Sequence, residues 1–249
     1  MGSPSEVNPA GTLTDVYGRN VLVVGCNVGR DCAYFVRLGA HAVDGLDVID
    51  EVGKAYKHRR VRYLRASVEA IPVCNGTYDL VFCFATMEHV PDVERAFAEM
   101  TRVTRADGLI YSIASPLWNS RYGHHKGDLF ERFPWIHLRM KEQEILELCR
   151  REGIEDQSGS HPIEVHVAYM LNPRYFNMTP ARKYLNSCKA LADEVAICEN
   201  SLALDREELL TPEIYRELAS KGYSREELLA VTHTFIGRKR AHEGTPCGS

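Results

Sequence analysis

The chain has 249 residues, of which 45% are hydrophobic and 26% are charged, and this length permits one large domain with a substantial core. Its 30 lysine and arginine residues against 34 aspartate and glutamate residues leave a formal net charge of -4. That balance excludes a generally basic surface for nucleic acid or an anionic membrane. The eight cysteines form no Cys-x-x-Cys pair, and no apolar run is long enough to span a bilayer. We therefore expect reduced thiols and a cytoplasmic protein with neither a nucleic-acid nor a membrane partner.

The first half of the chain alternates short apolar runs with segments of helical spacing. The apolar runs predict strands at 21–25, 41–46, 61–64 and 78–84. A helix is predicted around Cys32 and Phe35, and a second one opens at Pro91 and ends at Asp107-Gly108, before a strand at 109–114. This alternation predicts an α/β fold with a doubly wound, mostly parallel, Rossmann-like sheet.

The second half is less regular. Residues 115–140 lack any period and are predicted to form a substrate loop, and a helix starting at Lys141 ends at Gly153. Residues 161–230 are predicted as a helical lid inserted before a last strand at 232–237. The predicted division is a flexible segment 1–18, a core of 19–160 and 231–240, the lid, and a tail 241–249.

A glycine-rich bend follows the first predicted strand. It reads Gly25-Cys26-Asn27-Val28-Gly29, and Asp47 lies 22 residues beyond Gly25 at the end of the second strand. Glycines let a backbone approach a ligand closely, and an acidic side chain at this position can accept hydrogen bonds from ribose hydroxyls. The pair predicts an adenosine-type ligand over the first two strands. The G-x-G-x-x-G spacing of dinucleotide sites is absent, because Asn27 stands at the second glycine.

Several further motifs extend this pattern along the chain. In order they are Gly25-Cys-Asn-Val-Gly29, Gly45-Leu-Asp47, Ser67-Val-Glu69-Ala-Ile-Pro72, Tyr78-Asp-Leu-Val-Phe-Cys-Phe84, Met87-Glu-His-Val-Pro91 and Arg102-Val-Thr-Arg-Ala-Asp-Gly108. This series resembles the class I S-adenosylmethionine-dependent methyltransferases, most closely the small-molecule type that includes quinone and sugar O-methyltransferases. The resemblance covers 19–115 and 232–240. It implies S-adenosylmethionine as cofactor, S-adenosylhomocysteine as product, and a Rossmann-like methyltransferase fold.

The resemblance also implies a set of cofactor-binding residues. By position they are Gly25, Cys26, Asn27 and Gly29 at the methionine part, Asp47 at the ribose, Val48, Ser67 and Val68 at the adenine, and Phe84 at the end of the fourth strand. The chain departs from the family pattern at three positions. Val23 replaces an acidic residue, Asn27 a glycine and Ser67 an aspartate. Asn tolerates a left-handed backbone, and Ser67 can still accept one hydrogen bond.

Methyl transfer to a hydroxyl requires a base, and histidine is the usual one near neutral pH. Four candidates lie where an acceptor would approach, namely His89, His124, His125 and His137. We favour His124 or His125, because Tyr122-Gly-His-His-Lys-Gly-Asp128 places a carboxylate near two imidazoles. The alternative for His124 and His125 is a polar loop whose side chains face water. The alternative for His89 is a structural role in holding its own loop.

The sequence indicates fewer details about the residues that bind the acceptor or a metal. Trp118, Tyr122, Trp135 and Arg174 are candidates for binding the acceptor, with packing of the added helices as the alternative. We expect no metal, and the candidates for one are Glu88, His124, His125 and Asp128.

The resulting hypothesis is an enzyme that methylates an oxygen of a small molecule, a sugar or secondary metabolite, with a loop histidine as general base. The alternatives are N- or C-methylation of a small molecule, with or without a metal, and a non-catalytic cofactor-binding scaffold. The expected partner is the small-molecule acceptor, and a homodimer stays open.

Overall fold

A computed structural model describes residues 16–156 and 158–241 of the chain. One seven-stranded sheet has the order β3-β2-β1-β4-β5-β7-β6. Its strands are β1 (Asn20–Val24), β2 (Ala42–Asp47), β3 (Val61–Arg65), β4 (Tyr78–Phe84), β5 (Thr104–Ala114), β6 (Val195–Leu204) and β7 (Ala230–Lys239). Strands β1 to β5 pair in parallel, and β7 runs antiparallel to both β5 and β6. The predicted doubly wound, mostly parallel sheet is confirmed.

Helices cover the sheet and follow the strands. They are α1 (Arg30–Arg37), α2 (Val93–Val103), α3 (Ile136–Arg139), α4 (Glu142–Glu152), α5 (Ile163–Met170), α6 (Ala181–Lys189), α7 (Pro212–Ser220) and α8 (Arg225–Leu229). Short 3-10 helices occur at Val68–Ala70, Met87–His89 and Glu207–Leu209. Among the described residues, every helix is too short or too polar to span a bilayer.

Strand β1 shows why the central strands are apolar throughout. Val21 and Val23 pack with Phe35 of α1 on one face of the sheet. Leu22 and Val24 belong to a second cluster on the opposite face, with α2 and α6. Since both faces are covered, alternate residues are equally buried and the strand reads as a continuous apolar run.

The predicted bounds of the second helix were wrong at both ends. Asp92, not Pro91, caps α2, and its side chain accepts a hydrogen bond from the Arg95 amide at 3.1 Å. The helix ends at Val103, and β5 already begins at Thr104. Asp107, at φ 60°, lies within this strand rather than at the helix end.

The stretch 161–230, predicted as a helical lid, also contains the strand β6, which was not predicted. Within the part of the chain that the structure describes, β6 pairs only with β7 and forms the edge of the sheet, and several of its residues are half-buried. An edge strand of this kind tolerates polar residues such as Glu199 and Asn200, which hide its period. The predicted segment 1–18 and tail 241–249 lie almost entirely outside the described residues.

A buried histidine joins the two last strands. His233 of β7 is fully buried, and its Nε2 lies 2.9 Å from the Asn200 side-chain oxygen on β6. Burial lowers the pKa of His233 to about 4. The folded state therefore binds this proton less tightly than the unfolded chain, in which the pKa is about 6.5.

This shift predicts a loss of stability in acid. The contribution of His233 is fully present above about pH 6.5 and decreases as the pH falls towards about 4. In His233→Gln, unfolding by urea at pH 7 and pH 5 should show a pH dependence smaller by about 2 kcal/mol than in the wild type. His41→Gln, at an exposed position, should keep the wild-type pH dependence. If the pH dependence of unfolding in His233→Gln equals that of the wild type, the buried His233 is not a source of the loss of stability in acid.

Candidate active site

The bend after β1 is built by contacts with two neighbouring strands. The amides of Gly25 and Cys26 donate to the carbonyl oxygen of Leu46, at 2.8 and 3.1 Å. Gly25 has φ 71°, and a Cβ at this position would lie 1.9 Å from the Thr86 hydroxyl oxygen. A side chain is therefore excluded at Gly25 by both conformation and space. The glycine allows the loops after β1 and β4 to meet.

The second glycine of the bend meets a different neighbour. Gly29 has φ 98° and precedes α1. A Cβ there would lie 2.2 Å from the hydroxyl oxygen of Tyr63, which donates to the Tyr56 carbonyl at 2.7 Å. Gly29 is thus required by packing against β3, besides any role towards a ligand.

Between the two glycines, Cys26 and Asn27 differ in how much of each residue is exposed. The Cys26 thiol is buried beside Cys32, and their mutual hydrogen bond and burial raise its pKa well above the usual range. Only the backbone of Cys26 is available to a ligand. Asn27 is exposed and has φ 48°, the left-handed conformation that asparagine tolerates.

Asp47 fixes this bend from the end of β2. One carboxylate oxygen accepts from the Asn27 amide at 2.8 Å, and the other accepts from the amides of Val48 at 2.7 Å and Ile49 at 3.3 Å. The oxygen bonded to Asn27 keeps a further lone pair, because a carboxylate has about four acceptor sites. The structure thus confirms that the bend and Asp47 lie side by side.

The other predicted cofactor residues lie along the same edge of the sheet. Val48 is 63% exposed, Phe84 is half-buried, and the Val68 side chain is buried. The Ser67 hydroxyl accepts from the Glu69 amide at 3.1 Å and donates to the Glu69 carboxylate at 2.8 Å. Ser67 therefore caps the helix Val68–Ala70 and keeps one lone pair for a ligand.

Two of the four candidate histidines belong to the interior. His124 is fully buried, and its Nδ1 accepts from the Lys126 amide at 3.1 Å. Burial, together with His137, lowers the pKa of His124 to about 2. His137 is also buried and shares a 2.8 Å hydrogen bond between Nε2 and the Trp118 carbonyl, and burial lowers its pKa to about 4. Neither side chain reaches a surface from which an acceptor could approach.

The other two histidines meet at the end of β4. The ring centroids of His89 and His125 are 5.1 Å apart, and both rings contact Phe176, at 5.6 and 5.0 Å. His89 Nδ1 is hydrogen-bonded to the Tyr175 carbonyl. Burial and the neighbouring His89 lower the pKa of His125 to about 4. At neutral pH the His125 ring is therefore uncharged.

Glu88 lies beside this pair. It is 3% exposed, and neither carboxylate oxygen has a hydrogen-bond partner among the described residues. Burial raises its pKa to about 8. Of the four residues considered for a metal, the structure brings together Glu88 and His125, and it adds His89. Asp128 is exposed and, like His124, lies outside this group.

Comparison with known proteins shows which family this part of the chain resembles. Residues 22–112 match a family described as a methyltransferase domain. An uncharacterized methyltransferase of Mycobacterium sp. (strain KMS) is 36% identical over 122 residues, which cover 48% of each chain. This segment is a class I S-adenosylmethionine-dependent methyltransferase domain. The chain spans about half the length of the curated relatives it matches.

Two other relatives of the methyltransferase domain bear on its function and fold. A ubiquinone biosynthesis O-methyltransferase of Methylococcus capsulatus is 32% identical over 105 residues, covering 39% of this chain and 44% of the relative. The crystal structure of an S-adenosylmethionine-dependent methyltransferase from Mesorhizobium loti superposes with a TM-score of 0.52 at 14% identity. It covers 90% of this chain and 92% of the other. This structural likeness shows a shared Rossmann-like fold.

S-adenosylmethionine is the cofactor of this domain, and the residues present fit it. The bend is bare backbone at Gly25, the Asp47 carboxylate keeps a free lone pair, and exposed Val48 offers an apolar flank for an adenine ring. All three features lie at the carboxyl ends of β1 and β2, where ligands bind in open α/β sheets.

The predicted acceptor-binding residues are only partly placed near this edge. Trp118 contacts Phe176 at a centroid distance of 5.4 Å and so lies beside the histidine pair. Trp135 is fully buried, and its Nε1 donates to the carbonyls of Asn119 and Leu228, so its prediction as a substrate residue was wrong. Tyr122 donates to the Glu131 carbonyl at 2.9 Å, and Arg174 is exposed.

Sequence reasoning missed the residues that hold the histidine pair in place. Phe176 contacts both rings. The side-chain nitrogen of Asn177 donates to the carbonyls of Met87 and Val90, at 2.7 and 2.8 Å. These two bonds hold both ends of the helix Met87–His89. The two hydrogen bonds of Asn177 join residues 90 and 87 positions apart. The only local signal was the mixture of rings and amides at 169–177.

Asp47 permits a direct test of the cofactor site. Asp47→Ala removes both the ribose acceptor and the bonds that hold Asn27 and Val48, so affinity for S-adenosylmethionine should fall at least about 10-fold, or ~1.4 kcal/mol. Isothermal titration calorimetry measures this change. Asp50→Ala is the matched control, since Asp50 is exposed and pairs with Arg65. Equal affinities in the two variants would refute the placement of the ribose.

Proposed function

We propose that this chain transfers the methyl group of S-adenosylmethionine to an oxygen atom of a small molecule. The observation that carries the proposal is the pair of imidazoles at the end of β4, 5.1 Å apart, next to the edge that holds the bend and Asp47. A relative of the domain is named a ubiquinone biosynthesis O-methyltransferase, which supports oxygen as the acceptor atom.

Methyl transfer of this kind requires no covalent intermediate with the protein. When bound, S-adenosylmethionine supplies an electrophilic methyl group on a sulfonium centre. The carbon–sulfur bond breaks as the oxygen–carbon bond forms, and the acceptor hydroxyl loses one proton. The protein must therefore align three atoms and provide for that proton.

The residues around the pair are suited to these two tasks. Phe176 and Trp118 are buried against the pair and form an apolar support that excludes water from that side. One ring nitrogen of His89 and one of His125 lie within 4.8 Å of each other. Between the predicted bases, the geometry favours this pair over the buried His124 and His137.

The test is a transfer assay with S-adenosylmethionine labelled in the methyl group. Tag-free protein is mixed with phenols, polyols, amines and compounds with an acidic C–H bond, and both S-adenosylhomocysteine and labelled product are measured. We expect label only in O-methylated products, with the position established by NMR. Label in N- or C-methylated products instead would favour the alternative acceptors. Cofactor binding without transfer to any acceptor would contradict the proposal and favour a binding scaffold.

A further inference from the structure

Three side chains that are able to bind a metal converge at the end of β4. Glu88 and His89 belong to the 3-10 helix Met87–His89, and His125 comes from the loop after β5. One ligand atom from each lies within 4.8 Å of those of the other two. Ligands about 2.1 Å from a common ion are separated by up to about 4.2 Å. Small side-chain rotations would therefore close this group around one ion.

The Glu88 carboxylate is the clearest sign that a partner belongs here. Both oxygens are buried, and neither has a hydrogen-bond partner, although the residue is only 3% exposed. Buried polar atoms are normally satisfied, and a buried charge is costly unless it is paired or bound to a metal. No cationic side chain forms an ion pair with Glu88 among the described residues.

The two histidines are oriented as metal ligands usually are. His89 Nδ1 faces the Tyr175 carbonyl, so this nitrogen carries the proton and Nε2 keeps its lone pair. His125 Nε2 is buried without a partner. A ring N–H donated to a carbonyl is the arrangement that fixes the tautomer of a ligating histidine.

We propose that Glu88, His89 and His125 bind a divalent transition-metal ion. Two imidazoles and one carboxylate suit ions such as Fe²⁺, Mn²⁺, Co²⁺ or Zn²⁺, whereas Mg²⁺ prefers oxygen ligands. Three protein ligands leave coordination positions open. The proposal rests on the proposed function in one respect, since an open position would receive the acceptor oxygen and favour loss of its proton.

This assignment changes the role of the histidine pair. Ring nitrogens within 4.8 Å of each other and of a buried carboxylate are placed to serve as ligands of one ion. His89 and His125 then act as ligands, and the ion rather than an imidazole activates the hydroxyl. The earlier expectation that no metal is used is revised by this proposal.

The test measures metal binding directly, without cofactor or acceptor. Tag-free protein is treated with a chelator, freed of it, and titrated with Co²⁺, whose visible absorption reports bound nitrogen and oxygen ligands. We expect one Co²⁺ per chain in the wild type. Glu88→Gln and His125→Gln should each weaken binding at least about 100-fold, because loss of a ligand exceeds the 10–100-fold cost of losing an outer hydrogen bond. His41→Gln, at an exposed position, is the matched control.

The outcomes separate this proposal from the proposed function. Saturable binding that is lost in both ligand variants, while circular dichroism shows both folded, supports the site. Absence of Co²⁺ binding in the wild type, or equal binding in wild type and variants, overturns it. Full methyl transfer by chelator-treated protein overturns the role of the metal and leaves O-methylation standing. Co²⁺ binding without transfer to any acceptor supports the site and contradicts the proposed function.

Discussion

Replacing Gly25 with alanine should reduce affinity for S-adenosylmethionine at least about 100-fold. The added methyl group would lie 1.9 Å from the Thr86 hydroxyl oxygen, at a backbone φ of 71°. The left-handed conformation costs a non-glycine residue about 1–2 kcal/mol, and overpacking adds typically about 1–3 kcal/mol. The loops after β1 and β4 must separate, and the bend then loses the shape that faces the cofactor. Isothermal titration calorimetry with S-adenosylhomocysteine measures the loss.

A variant at a second glycine distinguishes the effect of a positive φ from the effect of steric contact. Gly159 has φ 64°, close to the value at Gly25, but a Cβ there would meet no atom within 4 Å. Gly159→Ala should therefore cost about 1 kcal/mol of stability and leave cofactor affinity unchanged. If Gly25→Ala and Gly159→Ala had the same effect on affinity, contact between the two loops would not be what shapes the site.

Replacing His125 with glutamine should reduce the turnover number at least about 100-fold, while cofactor affinity stays at the wild-type value. His125 packs against both His89 and Phe176, on the side of the site where we propose that the acceptor binds. Its loss therefore removes activation of the hydroxyl rather than binding of the nucleoside. Steady-state kinetics with the best acceptor from the transfer assay, together with calorimetry, measure both quantities.

The neighbouring histidine is the informative comparison. His124→Gln changes a buried side chain that bonds to the Lys126 amide, so it should lower the melting temperature more than His125→Gln does. Once folded, His124→Gln should keep most of its turnover number. The reverse order, a fully active His125→Gln and an inactive but stable His124→Gln, would contradict our choice between the two residues.

The central sheet could be predicted from sequence because its strands are buried on both faces. Val21 to Val24 face two separate cores, and an apolar run bounded by glycine has few other interpretations. The bend and Asp47 were equally predictable, because spacing along the chain places them at neighbouring strand ends. Edge strand β6 was missed, since its residues are mixed in polarity and its partners on β7 lie 26 to 44 residues further along the chain.

The catalytic side of the site was harder to predict, and His124 and His125 show why. The two residues are adjacent, yet one is enclosed in the interior and the other reaches His89. His125 has a positive φ of 58°, and its ring packs against His89 and Phe176. Such a turn depends on contacts made by Phe176 and on the course of the loop, and no pattern in the local sequence encodes it.

The bracket that Asn177 forms around Met87 and Val90 has a consequence for how an acceptor enters. The segment carrying Phe176 and the turn carrying Glu88 and His89 are held as one piece. We expect that an acceptor large enough to displace Phe176 would also strain the hydrogen bonds that Asn177 makes to Met87, Val90 and the Glu88 carbonyl, and so would shift the turn that carries Glu88 and His89. We therefore expect bulky acceptors to show a lower turnover number, and not only a weaker apparent affinity, than small ones.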